Sequence, residues 1–122
     1  MLEKRGFCIF LAIIFAIIIF YVSSLSSPPA PKKIDLSVYY HFLIFFYLGF
    51  FLFLAIIGKN KLKNKYIILT LIIALIYAAL DEMHQFFVPY RSCNLSDFLI
   101  DSSGILASVV FIILLKLRKF EK

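Results

Sequence analysis

Charged residues are scarce in this chain. Asp, Glu, Lys and Arg make up 16% of its 122 residues, against 63% hydrophobic, with Phe alone contributing fifteen. A soluble domain of this size has too little interior to hide so much apolar side chain; a lipid solvent removes the constraint. The formal net charge of +6 does not make a nucleic-acid surface. The lysines flank apolar runs and form no basic face, so no nucleic-acid partner is expected. Internal repeats and a separate soluble domain are also missing. There is no HExxH motif and no cysteine pair of the kind that marks a structural zinc site.

What is present is four apolar runs. They read "FCIFLAIIFAIIIFYV", "VYYHFLIFFYLGFFLFLAII", "YIILTLIIALIYAAL" continued by "DEMHQFFV", and "FLIDSSGILASVVFIILLKL". Each approaches the ~20 helical residues that cross ~30 Å of hydrocarbon once interfacial residues are included. Backbone groups in lipid must be satisfied internally, so continuous helix is expected. The reading is an all-α membrane protein of one domain over 1–122, with transmembrane helices at about 7–23, 38–57, 66–88 and 97–117. The first run, with Lys4 and Arg5 before it and "SSLSS" after it, also resembles a signal peptide. Its length fits an uncleaved signal-anchor better, and cleavage would leave the rest of the topology unchanged.

Basic residues set the orientation. The N-terminal segment, second loop and C-terminal segment carry ten Lys or Arg; the first and third loops carry three. The positive-inside rule then puts both termini in the cytoplasm of a multi-pass cell-membrane protein. Cys8 and Cys93 fall at opposite faces, too far apart for an intramolecular disulfide. The "NLS" at 94–96 formally matches a glycosylation acceptor, but Asn94 or Ser96 is better read as the N-cap of the last helix. The orientation has a direct test: cysteines placed at Lys61 and after Lys122 are expected to react only with membrane-permeant reagents, and native Cys93 with impermeant ones. Labelling of position 61 from outside intact cells would overturn it.

Four polar groups, Asp81, Glu82, His84 and Gln85, interrupt the third run where lipid-facing residues should continue. Depth can be measured along each helix from its cytoplasmic lysine at ~1.5 Å per residue. His41 then lies roughly 27 Å from Lys59, and Asp81 and His84 roughly 24 and 28 Å from Lys65. Asp97 and Asp101 lie roughly 28 and 22 Å from Lys116. Three helices thus place ionisable groups in one layer about 6 Å deep near the outer boundary. At 100° per residue Tyr77, Asp81, His84 and Gln85 share one side of the third helix, whereas Glu82 projects toward a different partner or the headgroups. Asp97, Asp101, Gly104 and Ser108 share a stripe on the fourth, where small residues admit a close neighbour. A polar pocket near the outer face is predicted.

The stretch "DEMHQFFVPYRSCNLSDFLIDSSG" (81–104) resembles the signature of the VanZ-like family of small bacterial integral membrane proteins. That pattern runs Asp-Glu-x-His-Gln, an aromatic, a Pro, an Arg, then an Asp and a Gly at the start of the last helix. "HFLIFFYLG" (41–49) is similar to the family's second-helix motif. Tyr90 stands where a Gly commonly precedes the Arg; Asp101 stands where Asn is frequent and adds a negative charge. The resemblance implies a membrane protein of the cell envelope. Through the family's name-giving member it also implies a link to teicoplanin, a glycopeptide that attacks cell-wall precursors.

The candidate residues divide by role. Asp81, Glu82 and His84 are the catalytic candidates: Asp81 orients and charges His84, which moves a proton at an exposed ester or phosphate. His41, Gln85, Arg91, Asp97 and Asp101 are candidates for substrate binding, with Arg91 suited to clamp a phosphate. Each has a structural alternative. The acids and His84 can be a mutually satisfied pair locking helices, Arg91 can neutralise Asp97 or Glu82, and His41 can be an interfacial histidine. His41, His84, Asp81 and Asp97 offer nitrogen and oxygen of the kind that zinc or manganese accepts, but no metal or cofactor is expected. Ser102, Ser103 and Cys93 have no spacing that marks a nucleophile. Three functions remain: an enzyme acting on membrane lipids or a lipid-linked cell-wall precursor, a non-catalytic amphiphile binder or transporter, and a membrane scaffold. The oligomeric state is left open.

Overall fold

The computed structural model describes residues 2–24, 36–58, 61–88 and 95–121. They form four helices: α1 (Leu2–Ser24), α2 (Leu36–Ile57), α3 (Asn64–Phe86) and α4 (Leu95–Glu121). All four are long and apolar enough to cross a membrane. Three contain the spans expected from the sequence; α3 ends at Phe86, two residues short of its expected limit at 88. The backbone N–H groups of Phe87 and Val88 close the end of α3 by donating to His84 O (3.0 Å) and Gln85 O (3.1 Å). This tightening to three-residue spacing satisfies carbonyls that a helix end leaves open. It also suits the sequence, since Pro89 disfavours helical geometry at Val88.

Cross-helix contacts define an antiparallel bundle. The Arg5 guanidinium near the start of α1 donates from Nε to Ala55 O in the last turn of α2 (2.8 Å). Ser24 at the end of α1 meets His84 near the end of α3, and His41 near the start of α2 meets Asp101 near the start of α4. One end of the bundle is therefore basic, with Arg5, Lys61, Lys63, Lys65 and Lys116, and the other carries Asp81, Glu82, Asp97, Asp101 and both histidines. Gly58, at φ +57°, ends α2 in the left-handed conformation that a side chain would resist. A guanidinium at the C-terminal carbonyls of α2 also complements that helix's dipole.

The packing is inverted relative to a soluble bundle. Ile13, Ile17, Ile68, Ile72, Ile76, Leu80, Leu106, Val110 and Leu114 lie exposed along the outer faces. On α3 the buried stripe is Thr70, Ala74, Ala78, Asp81, Glu82 and Gln85, which follows the helical repeat with two acids where an apolar residue would normally continue it. Helix α2 packs on all three other helices, most extensively on α4, whereas α1 and α4 do not pack on each other among the described residues. Phe45, Leu48, Ile105, Ala74, Ala78 and Ile19 form the central core; Phe53, Ile57, Val109 and Ile112 continue it toward the basic end.

Glycine explains why α2 and α4 lie so close. A Cβ at Gly104 would run into the Phe42 carbonyl oxygen, with Phe46 N at 3.2 Å, and one at Gly49 would run into Ser108 Oγ. The two backbones meet where side chains have been removed, the usual device for helix association when lipid competes for every apolar contact. The buried hydroxyls of Thr70 and Ser108 stay satisfied within their own helices, donating to Tyr66 O (2.8 Å) and Ile105 O (2.7 Å). This close crossing brings the second turns of α2 and α4, with His41 and Asp101, together at the polar end.

Candidate functional site

The polar end is assembled by all four helices. His41 comes from α2, Asp81, Glu82, His84 and Gln85 from α3, and Asp97 and Asp101 from α4. Helix α1 adds Ser23 and Ser24. His41, Glu82 and Asp101 are 5%, 3% and 0% exposed, and Asp81 and Gln85 are buried beside them. Burying ionisable groups at membrane depth is costly unless they are paired or hydrogen-bonded, so their partners decide how the site is read.

The central pair is His41 and Asp101. His41 Nδ1 donates to Asp101 Oδ1 at 2.8 Å, and the carboxylate, being an acceptor, fixes the tautomer. Tyr40 packs its ring edge-on against the imidazole at a centroid distance of 5.5 Å. The second oxygen of Asp101, Oδ2, is buried with no hydrogen-bond partner among the described residues. On α3, Gln85 Nε2 reaches Asp81 Oδ2 at 3.5 Å, one helical turn away.

The sequence-based pairing of Asp81 with His84 is corrected here. His84 Nε2 shares a 2.8 Å hydrogen bond with Ser24 Oγ and its ring stacks on Phe20 at 4.6 Å, so the imidazole is turned toward α1. His84 is three residues from Asp81 in sequence, but α1 claims that face of α3. Glu82, expected to face a separate partner or the headgroups, is buried, which removes the headgroups. The stripe that continues Ala74 and Ala78 passes between positions 81 and 82, so both acids turn inward. Asp97 sits half-buried in the first turn of α4, where it complements the helix dipole. Arg91, together with Cys93 and the proposed Asn94 cap, lies outside the described residues, as does the Ser96 side chain. Ser102 and Ser103 donate to Phe98 O and Ile100 O of their own helix, consistent with packing roles.

A cavity of about 10 Å³ opens among Ser23, Tyr40, His41, Asp81 and Gln85, with Ile19, Val22 and Phe45 as its apolar wall. That volume suits one water molecule with several polar neighbours. Sequence reasoning missed Ser23 and Tyr40 as wall residues. Ser23 was hidden in a run of small residues that reads as the end of a signal-like segment, and Tyr40 in a run of interfacial aromatics. Below this cavity, Tyr77 donates its hydroxyl to Ala16 O of α1. Beneath that bond an apolar cleft of about 170 Å³ lies among Ala12, Ala16, Leu48, Leu52, Ala74 and Tyr77.

The grouping of possible metal ligands also differs from the one suggested by sequence. His41, Glu82 and Asp101, all buried, each offer a ligand atom, and these atoms lie within 4.8 Å of one another. His84 is held by Ser24 on the α1 side.

Four apolar helices enclosing buried ionisable groups at one end define a multi-pass integral membrane protein with an internal polar centre. The description VanZ/LLP1 belongs to the family whose model matches residues 7–116. The chain is a member of that family. No curated protein and no solved structure matches it.

Proposed function

We propose that this protein is a membrane enzyme that acts on a lipid-linked cell-envelope intermediate at the extracytoplasmic leaflet of the cell membrane. In this reading the buried polar end activates a water or substrate hydroxyl. The observation that carries the proposal is the His41–Asp101 pair beside a water-sized cavity, inside a bundle where buried charge has a standing cost. With Nδ1 donating to Asp101, the other imidazole nitrogen is free of its proton and able to accept one. Asp81, Gln85, Ser23 and Tyr40 supply the remaining polar walls for the attacking group. Gathering of the basic residues at the opposite end supports an outward-facing site under the positive-inside rule. The resemblance to the VanZ-like family supports an envelope substrate and, through it, tolerance to glycopeptides such as teicoplanin.

A binding role without chemistry has one specific observation in its favour. The apolar cleft among α1, α2 and α3 has room for part of an acyl chain directly beneath the polar cavity. Turnover separates the readings. Purified protein in detergent is expected to convert radiolabelled envelope lipids to a more polar product, whereas lipid that co-purifies but is never converted would establish the binder.

A further inference from the structure

We infer that His41, Glu82 and Asp101 form a binding site for one divalent transition-metal ion, zinc or manganese. The inference deepens the proposed function and rests on it for the role of the ion, but not for its binding.

The donor set is one imidazole and two carboxylates, each from a different helix and each more than nine-tenths buried. Such a mixture suits zinc and manganese, whereas calcium and magnesium favour oxygen-only surroundings. The geometry is close to what an ion requires. An ion ~2.1 Å from each ligand places the ligands roughly 3–4.2 Å apart. The donors here already lie within 4.8 Å of one another, so side-chain movement of under ~1 Å closes the set.

An independent observation points to a missing partner. Asp101 is fully buried, and among the described residues its Oδ2 has no hydrogen bond although Oδ1 is used by His41. Buried carboxylate oxygens are ordinarily satisfied, and an unsatisfied one in an apolar bundle calls for a donor or an ion.

The two states of the site differ in what occupies the space between His41 and Asp101. Without a cation it is the Nδ1 proton. With one, the imidazole proton resides on Nε2 and Nδ1 becomes a ligand. Activation of the water then passes from the imidazole to the ion, which lowers the pKa of a bound water.

The test uses untagged full-length protein with Cys8→Ser and Cys93→Ser, purified in detergent and stripped with a chelator. It is re-equilibrated with Zn²⁺, Mn²⁺ or Mg²⁺, then assayed for bound metal by mass spectrometry and for thermal stability. The expected result is about one Zn²⁺ or Mn²⁺ per chain with a raised melting temperature, and neither effect with Mg²⁺. His41→Gln, Glu82→Gln and Asp101→Asn are each expected to weaken binding at least ~10-fold, while His84→Gln retains it. Background-level metal in the otherwise wild-type protein would overturn the inference, as would stoichiometric metal indifferent to all three substitutions. Binding is read without substrate, so its failure is distinct from failure of the enzymatic reading. Lipid turnover persisting in chelator would leave that reading intact and remove the ion. Bound metal without turnover would do the reverse.

Discussion

In this chain, where a carboxylate holds His41 at a position the VanZ-like pattern frequently fills with Asn, Asp101→Asn is expected to abolish function while leaving the protein folded. The substitution keeps the shape of the side chain and an oxygen for His41 Nδ1 to donate to. It removes a fully buried negative charge, so membrane abundance and melting temperature should hold or rise. What it removes is the charge that sets the imidazole's tautomer and basicity. Loss of acid–base chemistry typically costs ~10²–10⁴ in rate, enough to eliminate complementation of a deletion strain's glycopeptide or envelope-stress phenotype. His41→Gln should behave alike. His84→Gln should cost less, because His84 is engaged by Ser24 and Phe20 on the α1 side. A purely structural His41–Asp101 pair predicts a different pattern, with abundance and melting temperature falling in step with activity. Full complementation by Asp101→Asn at normal abundance would rule out the proposed chemistry.

Gly104→Leu should have the largest effect on stability. A Cβ there meets the Phe42 carbonyl oxygen and the Phe46 backbone nitrogen, neither of which can rotate aside. The two helices must separate, and with them the Phe45–Ile105 core contact and the His41–Asp101 bond. Overpacking of a tight site costs about 1–3 kcal/mol, and a backbone obstacle puts this one at the upper end. Ala107→Leu is the comparison, since Ala107 lies on an outer groove with Leu106, Val110, Phe111 and Leu114, where added methyls meet lipid. Its melting temperature in detergent should stay close to wild type. Equal losses in the two variants would show that the Gly104 stripe is not the packing face.

The elements and the polar layer were legible because each depends on distance along one helix. Run lengths located α1 to α4, and spacing from the lysines put His41, Asp81, His84, Asp97 and Asp101 at a common depth. The stripe of Asp101, Gly104 and Ser108 on α4 also follows from a repeat of 3.6 residues, and all three are buried in the structure. Bundle type and family membership rest on the same kind of information. The partners of each group do not. Sequence spacing put Asp81 beside His84, yet α1 draws His84 to Ser24, and the close α2–α4 crossing at Gly49 and Gly104 brings His41 to Asp101. Glu82 turned inward because α3 is wedged so that its buried line runs between positions 81 and 82. Periodicity sets angles within a helix; the rotation of one helix against its neighbours depends on which side chains are small enough to let backbones touch. That choice is made by contacts between residues 60 positions apart, and only the tertiary structure contains them.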